Sequence, residues 1–250
     1  MATTSPAHAI GVDIGGTGIK GAPVDLDAGA FTAERIRIPT PQPATPAAVA
    51  AIVKEIVTKL DAPGTIGLTL PSVVLDGVVK TAANIDQEWI GTDAKALFEE
   101  AIGRPVGVVN DADAAGIAEM RFGAGKDRHG VVLLVTLGTG IGSALFVDGT
   151  LVPNTELGHL PLHHGDAEDW AAESVREDDD LSWKEWGQRL SDYVELVEKL
   201  LWPNLIIIGG GVSRKSEKFR PHVRARTEVV PAQLLNDAGN VGAALFAPTA

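Results

Sequence analysis

The 250-residue sequence is 45% hydrophobic, 22% charged and 5% aromatic, the profile of a globular protein large enough to bury a core without disulfides or structural metals. It has no cysteine, which excludes disulfide scaffolds, thiolate catalysis, iron–sulfur clusters and cysteine-ligated zinc. Lys and Arg number 21 against 33 Asp and Glu, and a net charge of -12 argues against non-specific binding to nucleic acid. Residues 1–9 show no basic start followed by an apolar run, and no later stretch reaches the roughly 20 apolar residues of a membrane span, so a cytoplasmic protein is expected.

Along the chain, Ile10, Val12 and Ile14 alternate as a strand that runs into Gly15-Gly16. A second strand carries Val24 and Leu26, and residues 31–38 read as a third. Thr45 as N-cap, Pro46 in the first turn and the stripe Val49, Ile52, Val53, Ile56, Val57, Leu60 predict a helix that Pro63-Gly64 stops. There follow a strand at 66–70, a hairpin through Asp76-Gly77, a helix over 93–102 and a strand at 106–109 that leads through Asn110 into a helix. The second half repeats the syntax: strand 131–137, glycine turn 138–140, strand 141–147, a long helix over 183–202, an apolar strand 205–208 ending in Gly209-Gly210-Gly211, and a closing helix of small residues over 238–247. The acidic run 177–180 reads as a solvated loop. The internal repeat implies two related lobes with ligand in the cleft between them.

Glycine turns at strand ends leave backbone N–H groups open to phosphate oxygens, and this chain has three. Each alone is also what a tight hairpin requires. Residues 16–21 spell G-x-G-x-x-G, but Pro23 and the alternation after it predict a strand where a dinucleotide site needs a helix. No Walker pattern occurs. Asp111 falls at a strand end, where open α/β sheets place their ligands, so it either accepts a proton from a substrate hydroxyl or, with Asp113, caps the helix; the residues alone favour the cap. Glu156 and His159 could hydrogen-bond a polyol, while His163 and His164 complete no zinc spacing. Within residues 214–226 stand Arg214, Lys215, Lys218, Arg220, Arg224 and Arg226, either a track for a polyanion or a solvated face.

Five motifs occur in order: Asp13-Ile14-Gly15-Gly16-Thr17, Asn110-Asp111-Ala112-Asp113-Ala114-Ala115, Gly138-Thr139-Gly140-Ile141-Gly142, Glu156-Leu157-Gly158-His159 and Ile207-Ile208-Gly209-Gly210-Gly211-Val212-Ser213. Together they resemble the ROK-family sugar kinases, from about residue 10 to residue 247. Within that family, Trp89-Ile90-Gly91-Thr92 and Pro153-Asn154-Thr155-Glu156 are most similar to the polyphosphate glucokinases.

The resemblance implies an α/β, two-lobed, actin-like ATPase or ribonuclease H-like fold with duplicated mixed-sheet domains and a central cleft. The expected division is a small N-terminal lobe, 1–110, with the helix at 238–250 packing back on it, and a larger lobe, 111–237. The implied activity moves the terminal phosphoryl group of inorganic polyphosphate, with ATP as a further donor, to the 6-hydroxyl of glucose, with mannose as a further acceptor. The alternative is an ATP-dependent kinase for another hexose or an amino sugar. Asp111 is implied as the base, and Asn84, Asn110, Asp111, Glu156, His159 and Glu168 as sugar ligands, with Glu173 the fallback for Glu168. Donor phosphates would lie against Asp13, Gly15, Gly16, Thr17, Gly18, Lys20, Thr136, Gly138, Thr139, Gly140, Gly209, Gly210 and Gly211, and Asp13 would orient Mg2+ through water. The family's cysteine-rich zinc loop after the His is missing, so no zinc is expected, and Ser72 stands where a glycine is usual. A homodimer is the family expectation. A family repressor would need an N-terminal helix-turn-helix, for which the first strand leaves no room.

Overall fold

The computed structural model describes residues 8–83 and 85–248. The strands are β1 (His8–Ile14), β2 (Ile19–Asp25), β3 (Ala30–Phe31), β4 (Ile36–Ile38), β5 (Thr65–Leu70), β6 (Val74–Leu75), β7 (Val78–Val79), β8 (Val106–Asn110), β9 (Val131–Leu137), β10 (Ile141–Val147), β11 (Thr150–Val152), β12 (Pro161–Leu162), β13 (Gly165–Asp166), β14 (Leu205–Gly209) and β15 (Glu228–Pro231). The helices are α1 (Pro46–Leu60), α2 (Ala94–Ile102), α3 (Asp111–Phe122), α4 (Glu168–Ala171), α5 (Glu173–Asp178), α6 (Trp183–Leu201), α7 (Ser216–Phe219) and α8 (Ala238–Leu245). The chain forms two compact units, Met1–Ala118 with Asp237–Ala250, and Glu119–Asn236.

In the first unit the sheet runs β3-β2-β1-β5-β8, with β4 also paired to β2. β1 is antiparallel to β2 and parallel to β5, which is parallel to β8. The expected single strand at 31–38 is two short strands, β3 and β4: Pro23 accepts Thr32 N–H but has no N–H to give back, and the chain leaves the ladder there and rejoins β2 at Ile36–Ile38. α1 starts where its cap predicts, with Thr45 Oγ1 accepting Ala48 N–H and Pro46 in the first turn. Its stripe Val49, Val53, Ile56 and Val57 is buried, each side chain contributing about 1.5–3 kcal/mol relative to exposure. The Asp76-Gly77 hairpin takes positive φ at both central residues, 51° and 83°, the turn that matches strand twist.

α8 lies on β1 and β5 at backbone contact. Gly11, Gly67 and Gly107 are register neighbours across β1, β5 and β8. A Cβ on Gly11 would stand 1.8 Å from Asn240 O, one on Gly67 1.7 Å from Ala243 O, and one on Gly107 2.4 Å from Phe246 O. Only a glycine row admits the helix this closely, and it explains why α8 consists of small residues. Gly242 of α8 approaches Ala114 of α3 in the same way, at 1.7 Å from Ala114 O. That packing draws the first two turns of α3 into the first unit. The division therefore falls at 118/119, inside α3, rather than at 110/111, and the first unit is the longer one.

The second unit repeats the plan. Its sheet runs β11-β10-β9-β14-β15, with β10 antiparallel to β9 and β9, β14 and β15 mutually parallel. α6 opens with a capping box between Ser182 and Glu185. Its buried Trp186, Leu190, Tyr193, Val194 and Val197 share one core with Leu133 and Val135 of β9 and Ile206 and Ile208 of β14. The acidic run at 177–180 is not all loop: Glu177 and Asp178 end α5. Glu119 is fully buried, and its carboxylate accepts the N–H groups of Ala124, Gln233 and Leu234, which satisfies its charge and ties residues 233–234 to α3.

Candidate active site

In the first unit the chemistry gathers at the carboxyl ends of the parallel strands β1, β5 and β8, the edge where such sheets place ligands. β1 ends in Asp13 and Ile14, and the turn 15–18 is closed by Gly15 N–H on Gly18 O at 3.2 Å. Gly16 and Thr17 are exposed, and the turn feeds β2 rather than a helix, so the G-x-G-x-x-G spelling is no dinucleotide site. Lys20 Nζ lies 3.0 Å from Asp13 Oδ2, and Thr69 Oγ1 donates to Asp13 Oδ1 at 3.1 Å while accepting Ile14 N–H. Thr69 is fully buried and was missed by the sequence reading; a hydroxyl next to the end of the otherwise apolar run 66–70 is the signal that could have found it. Thr40 Oγ1 donates to Gly15 O and braces the turn from outside. A cavity of about 290 Å³ opens against Gly15, Gly16, Thr40, Pro71, Ala83 and Ile85.

At the end of β8, Asn110 does the capping. Its Oδ1 accepts the N–H groups of Ala112 and Asp113 at 2.8 and 3.1 Å, and its Nδ2 donates to Ser72 O at 3.1 Å. The cap expected of Asp111 or Asp113 is thus taken by the residue before them. Asp111 is exposed at the first position of α3, its Oδ1 accepting Ala112 N–H at 2.8 Å. Asn110 and Ser72 are buried. Asn84 lies outside the described residues.

In the second unit the turn 138–140 and the turn 209–211 lie side by side, since β9 and β14 are parallel and Gly209 is in register with Thr136. Gly210 has φ 79° and backs onto Leu137, where a Cβ would meet Leu137 O at 2.2 Å. Glu168, at the start of α4, reaches the first of these turns: its Oε2 accepts Ile141 N–H at 3.0 Å and fills the space beside Gly140. Its Oε1 is 3.8 Å from His159 Nδ1. His159 Nδ1 is 2.8 Å from Asp166 Oδ2, and His159 Nε2 is 3.8 Å from Glu156 Oε2. One imidazole therefore sits among three carboxylates. The hydrogen bond to Asp166 is the main cause holding its pKa above the usual 6.5, and the charges of Glu168, Asp166 and Glu156 add to it against a desolvation penalty. Burial raises the Glu156 carboxyl, and neighbouring Glu168 raises it further, against the lowering effect of His159. Glu173 is elsewhere, 3.5 Å from Arg176, so Glu168 is the carboxylate that joins the cluster. Asp166 was not singled out by the sequence reading; nothing in Gly165-Asp166-Ala167 distinguishes it from a turn.

The basic run divides. Arg214, Lys215, Lys218 and Arg220 are exposed in the segment just after the turn 209–211, with Lys215 and Lys218 at 5.5 and 5.8 Å from the Trp183 ring and Arg220 bonded to Val229 O. Arg224 instead pairs with Glu195 at 2.9 Å and Asp192 at 3.6 Å, and Arg226 lies 3.9 Å over the Trp202 ring with a bond to Glu198 O. The last two are thus held along α6 and at its C-terminal end. Arg176 also lies over the Trp183 ring, at 4.2 Å, but is largely buried and paired with Glu173 and Glu177.

Residues 9–174 match the sequence profile described as the ROK family. The chain belongs to the ROK family. It is 50% identical over 97% of its length to a polyphosphate glucokinase of Mycobacterium tuberculosis, of which it covers 92%, and 47% identical to that of Mycobacterium leprae, of which it covers 75%. Among solved structures it is similar to the inorganic polyphosphate/ATP-glucomannokinase of Arthrobacter sp. strain KM, with a TM-score of 0.91 and 52% identity over 96% of this chain and 97% of that one. A ROK-family glucokinase of Streptomyces griseus, solved with glucose and AMPPNP, gives a TM-score of 0.82 at 26% identity over 96% of this chain and 99% of that one. This ROK chain has the two-domain, actin-like α/β fold, with mixed sheets in both units.

Proposed function

We propose that this ROK protein is a cytoplasmic kinase that transfers the terminal phosphoryl group of inorganic polyphosphate, and also of ATP, to the 6-hydroxyl of glucose, with mannose as a second acceptor. The observation that carries the reading is Glu168, whose Oε2 accepts Ile141 N–H directly after the glycine turn 138–140 and fills the space beside Gly140, while its Oε1 stands 3.8 Å from His159 Nδ1. It couples a phosphate-type turn to a polyol-binding cluster within one unit. Glu156, His159 and Glu168 accept and donate to sugar hydroxyls, together with Asn84 and Asn110, whose Nδ2 keeps a second hydrogen beyond its bond to Ser72 O. Asp111 takes the proton of the 6-hydroxyl as that oxygen bonds to the terminal phosphorus. The bond from that phosphorus to the bridging oxygen breaks, and the donor leaves one phosphate shorter. Alignment and charge neutralisation supply most of the rate in such transfers.

The turns 15–18, 138–140 and 209–211 offer N–H groups to the donor, with Thr136 and Thr139 beside the second. Arg214, Lys215 and Lys218 extend the third outward for a longer polyphosphate chain. Mg2+ takes one or two carboxylates, waters and substrate phosphates, and a single carboxylate beside a phosphate turn fits that donor set. Asp13 would hold it through water, because both its oxygens already accept bonds from Lys20 and Thr69. When bound, the ion supplies neutralisation of phosphate charge. Homodimerisation is part of the proposal, and the exposed Leu200 and Trp202 at the end of α6 support it.

The test is glucose 6-phosphate formation with Mg2+ and either polyphosphate or ATP as sole donor, across glucose, mannose and glucosamine. Product from polyphosphate is expected. Product from ATP alone moves the chain to the ordinary ATP-dependent kinases, and product from neither donor overturns the reading.

A further inference from the structure

The cations near the first glycine turn divide into one that is neutralised and one that is not. β4 pairs with β2 so that Arg37 stands opposite Lys20, and β2 pairs with β1 so that Lys20 stands opposite Asp13. Directly paired residues project to the same face, so Asp13, Lys20 and Arg37 form one cross-strand row at the mouth of the turn 15–18. Within that row the Lys20 ammonium is matched by Asp13 at 3.0 Å. Arg37 has no carboxylate partner among the described residues; its Nη2 donates to Thr17 O, at 3.3 Å, on the turn itself.

The turn is also shaped for this guanidinium. A Cβ placed on Gly18 would stand 2.8 Å from Arg37 Nε, 2.9 Å from Nη2 and 3.0 Å from Cζ. Gly18 does not have a positive φ, so the absence of a side chain there is not a backbone requirement. It leaves a notch, and the notch holds Arg37. A guanidinium carries five N–H donors in a planar fork that matches phosphate oxygens, and only one of them is used by Thr17 O. The turn thus brings together the exposed backbone of Gly16 and Thr17 and a positive charge with no counter-ion among the described residues, beside an Asp–Lys pair that is already neutral.

We propose that Arg37 is a donor-binding residue that contacts an oligophosphate chain at the turn 15–18, and that Gly18 is glycine to seat it. The proposal rests on the reading of this turn as a donor site. The ligand chemistry is a run of linked phosphates, whether from inorganic polyphosphate or from the tail of a nucleoside triphosphate.

The test uses the full chain with Arg37→Met, Arg37→Lys and Gly18→Ala, and measures tripolyphosphate binding by calorimetry together with the donor and glucose KM values for polyphosphate and for ATP. For Arg37→Met the tripolyphosphate Kd and the donor KM are expected to rise about tenfold, the loss of one charge-assisted hydrogen bond, with glucose KM and thermal midpoint unchanged. Arg37→Lys should recover only part of this, because a point charge lacks the fork. Gly18→Ala should reproduce it with Arg37 still present, by displacing the guanidinium. An effect on polyphosphate alone assigns the residue to the inorganic chain, and an equal effect on ATP assigns it to the shared phosphates; either supports the proposal. If Arg37→Met binds tripolyphosphate as the parent does, or if donor and glucose KM rise together with a lowered midpoint, Arg37 only braces the turn and the proposal falls. If the parent protein itself binds no oligophosphate, the donor reading of the turn fails first.

Discussion

In the first unit β1 lies between an antiparallel partner, β2, and a parallel neighbour, β5; in the second, β9 has the same place between β10 and β14. Both central strands end in a glycine turn, yet the two sheets are covered by different means. α8 lies on the first at backbone distance, over Gly11, Gly67 and Gly107. α6 joins the core of the second through Trp186 and Tyr193, with the Trp186 and Phe219 rings 4.8 Å apart. The turns differ as well. The first is set among charged side chains, Asp13, Lys20 and Arg37, whereas the second is held by a carboxylate, Glu168, and by Ser174, whose N–H and Oγ bond Gly138 O and Thr139 O. One strand plan therefore carries two kinds of packing and two kinds of site, and the difference resides in side chains rather than topology.

The sharpest way to separate the two units is Asp111→Asn. The proposed function takes Asp111 as the base and Glu156, His159 and Glu168 as sugar ligands, so turnover should fall by about 10²–10⁴ while glucose binding, read by calorimetry, stays within a few fold of the parent. Loss of both together would mean that Asp111 is a sugar ligand before it is a base. Next in size is the packing contrast. Trp186→Ala removes a fully buried indole whose Nε1 donates to Ala171 O and Ala172 O, and should cost about 3–5 kcal/mol in urea unfolding. Gly67→Ala adds one methyl where Ala243 O already stands and should cost about 1–3 kcal/mol as α8 is pushed from the sheet. A neutral Gly67→Ala would show that α8 is not seated on the glycine row.

Most strands and helices were legible because their signals are local. Thr45-Pro46 started α1 where the structure has it, and strict alternation in residues 10–14 marked β1. What stayed hidden depends on partners distant in sequence. Gly11, Gly67 and Gly107 read as separate interruptions of three strands, and only pairing lines them up under a helix some 130 or more residues away. At the site, the glycine turns and Asn110-Asp111 were visible as letters, but that Asn110 caps α3 follows from its Oδ1 meeting the N–H groups of Ala112 and Asp113. The basic run looked continuous in sequence, whereas Arg224 pairs with acids of α6 and Arg226 with the Trp202 ring just past its end, a helix that precedes them by more than a dozen residues. Asp166 and Arg37 had no signal at all, since each acquires meaning only from the group it meets.

The smallest expected effect concerns the carboxylates around His159. Asp166 Oδ2 bonds His159 Nδ1, and this bond is the first cause of the raised imidazole pKa. A raised folded value means that the cluster's contribution to stability is complete below the ordinary His value of 6.5 and is lost as pH rises through the folded one. His159 is half exposed, so that contribution is small, and the informative readout is sugar binding. Asp166→Asn removes the charge and keeps the shape, so the pH at which His159 loses its second proton should move down, toward 6.5, and the glucose KM profile should move with it while the donor KM does not. Glu156 and Glu168 still face the ring, so the shift should be partial rather than a return to the free imidazole. A profile that does not move would leave Asp166 a turn residue and place the orientation of His159 on Glu156 and Glu168 alone, which would make the polyol cluster independent of the strand pair β12 and β13.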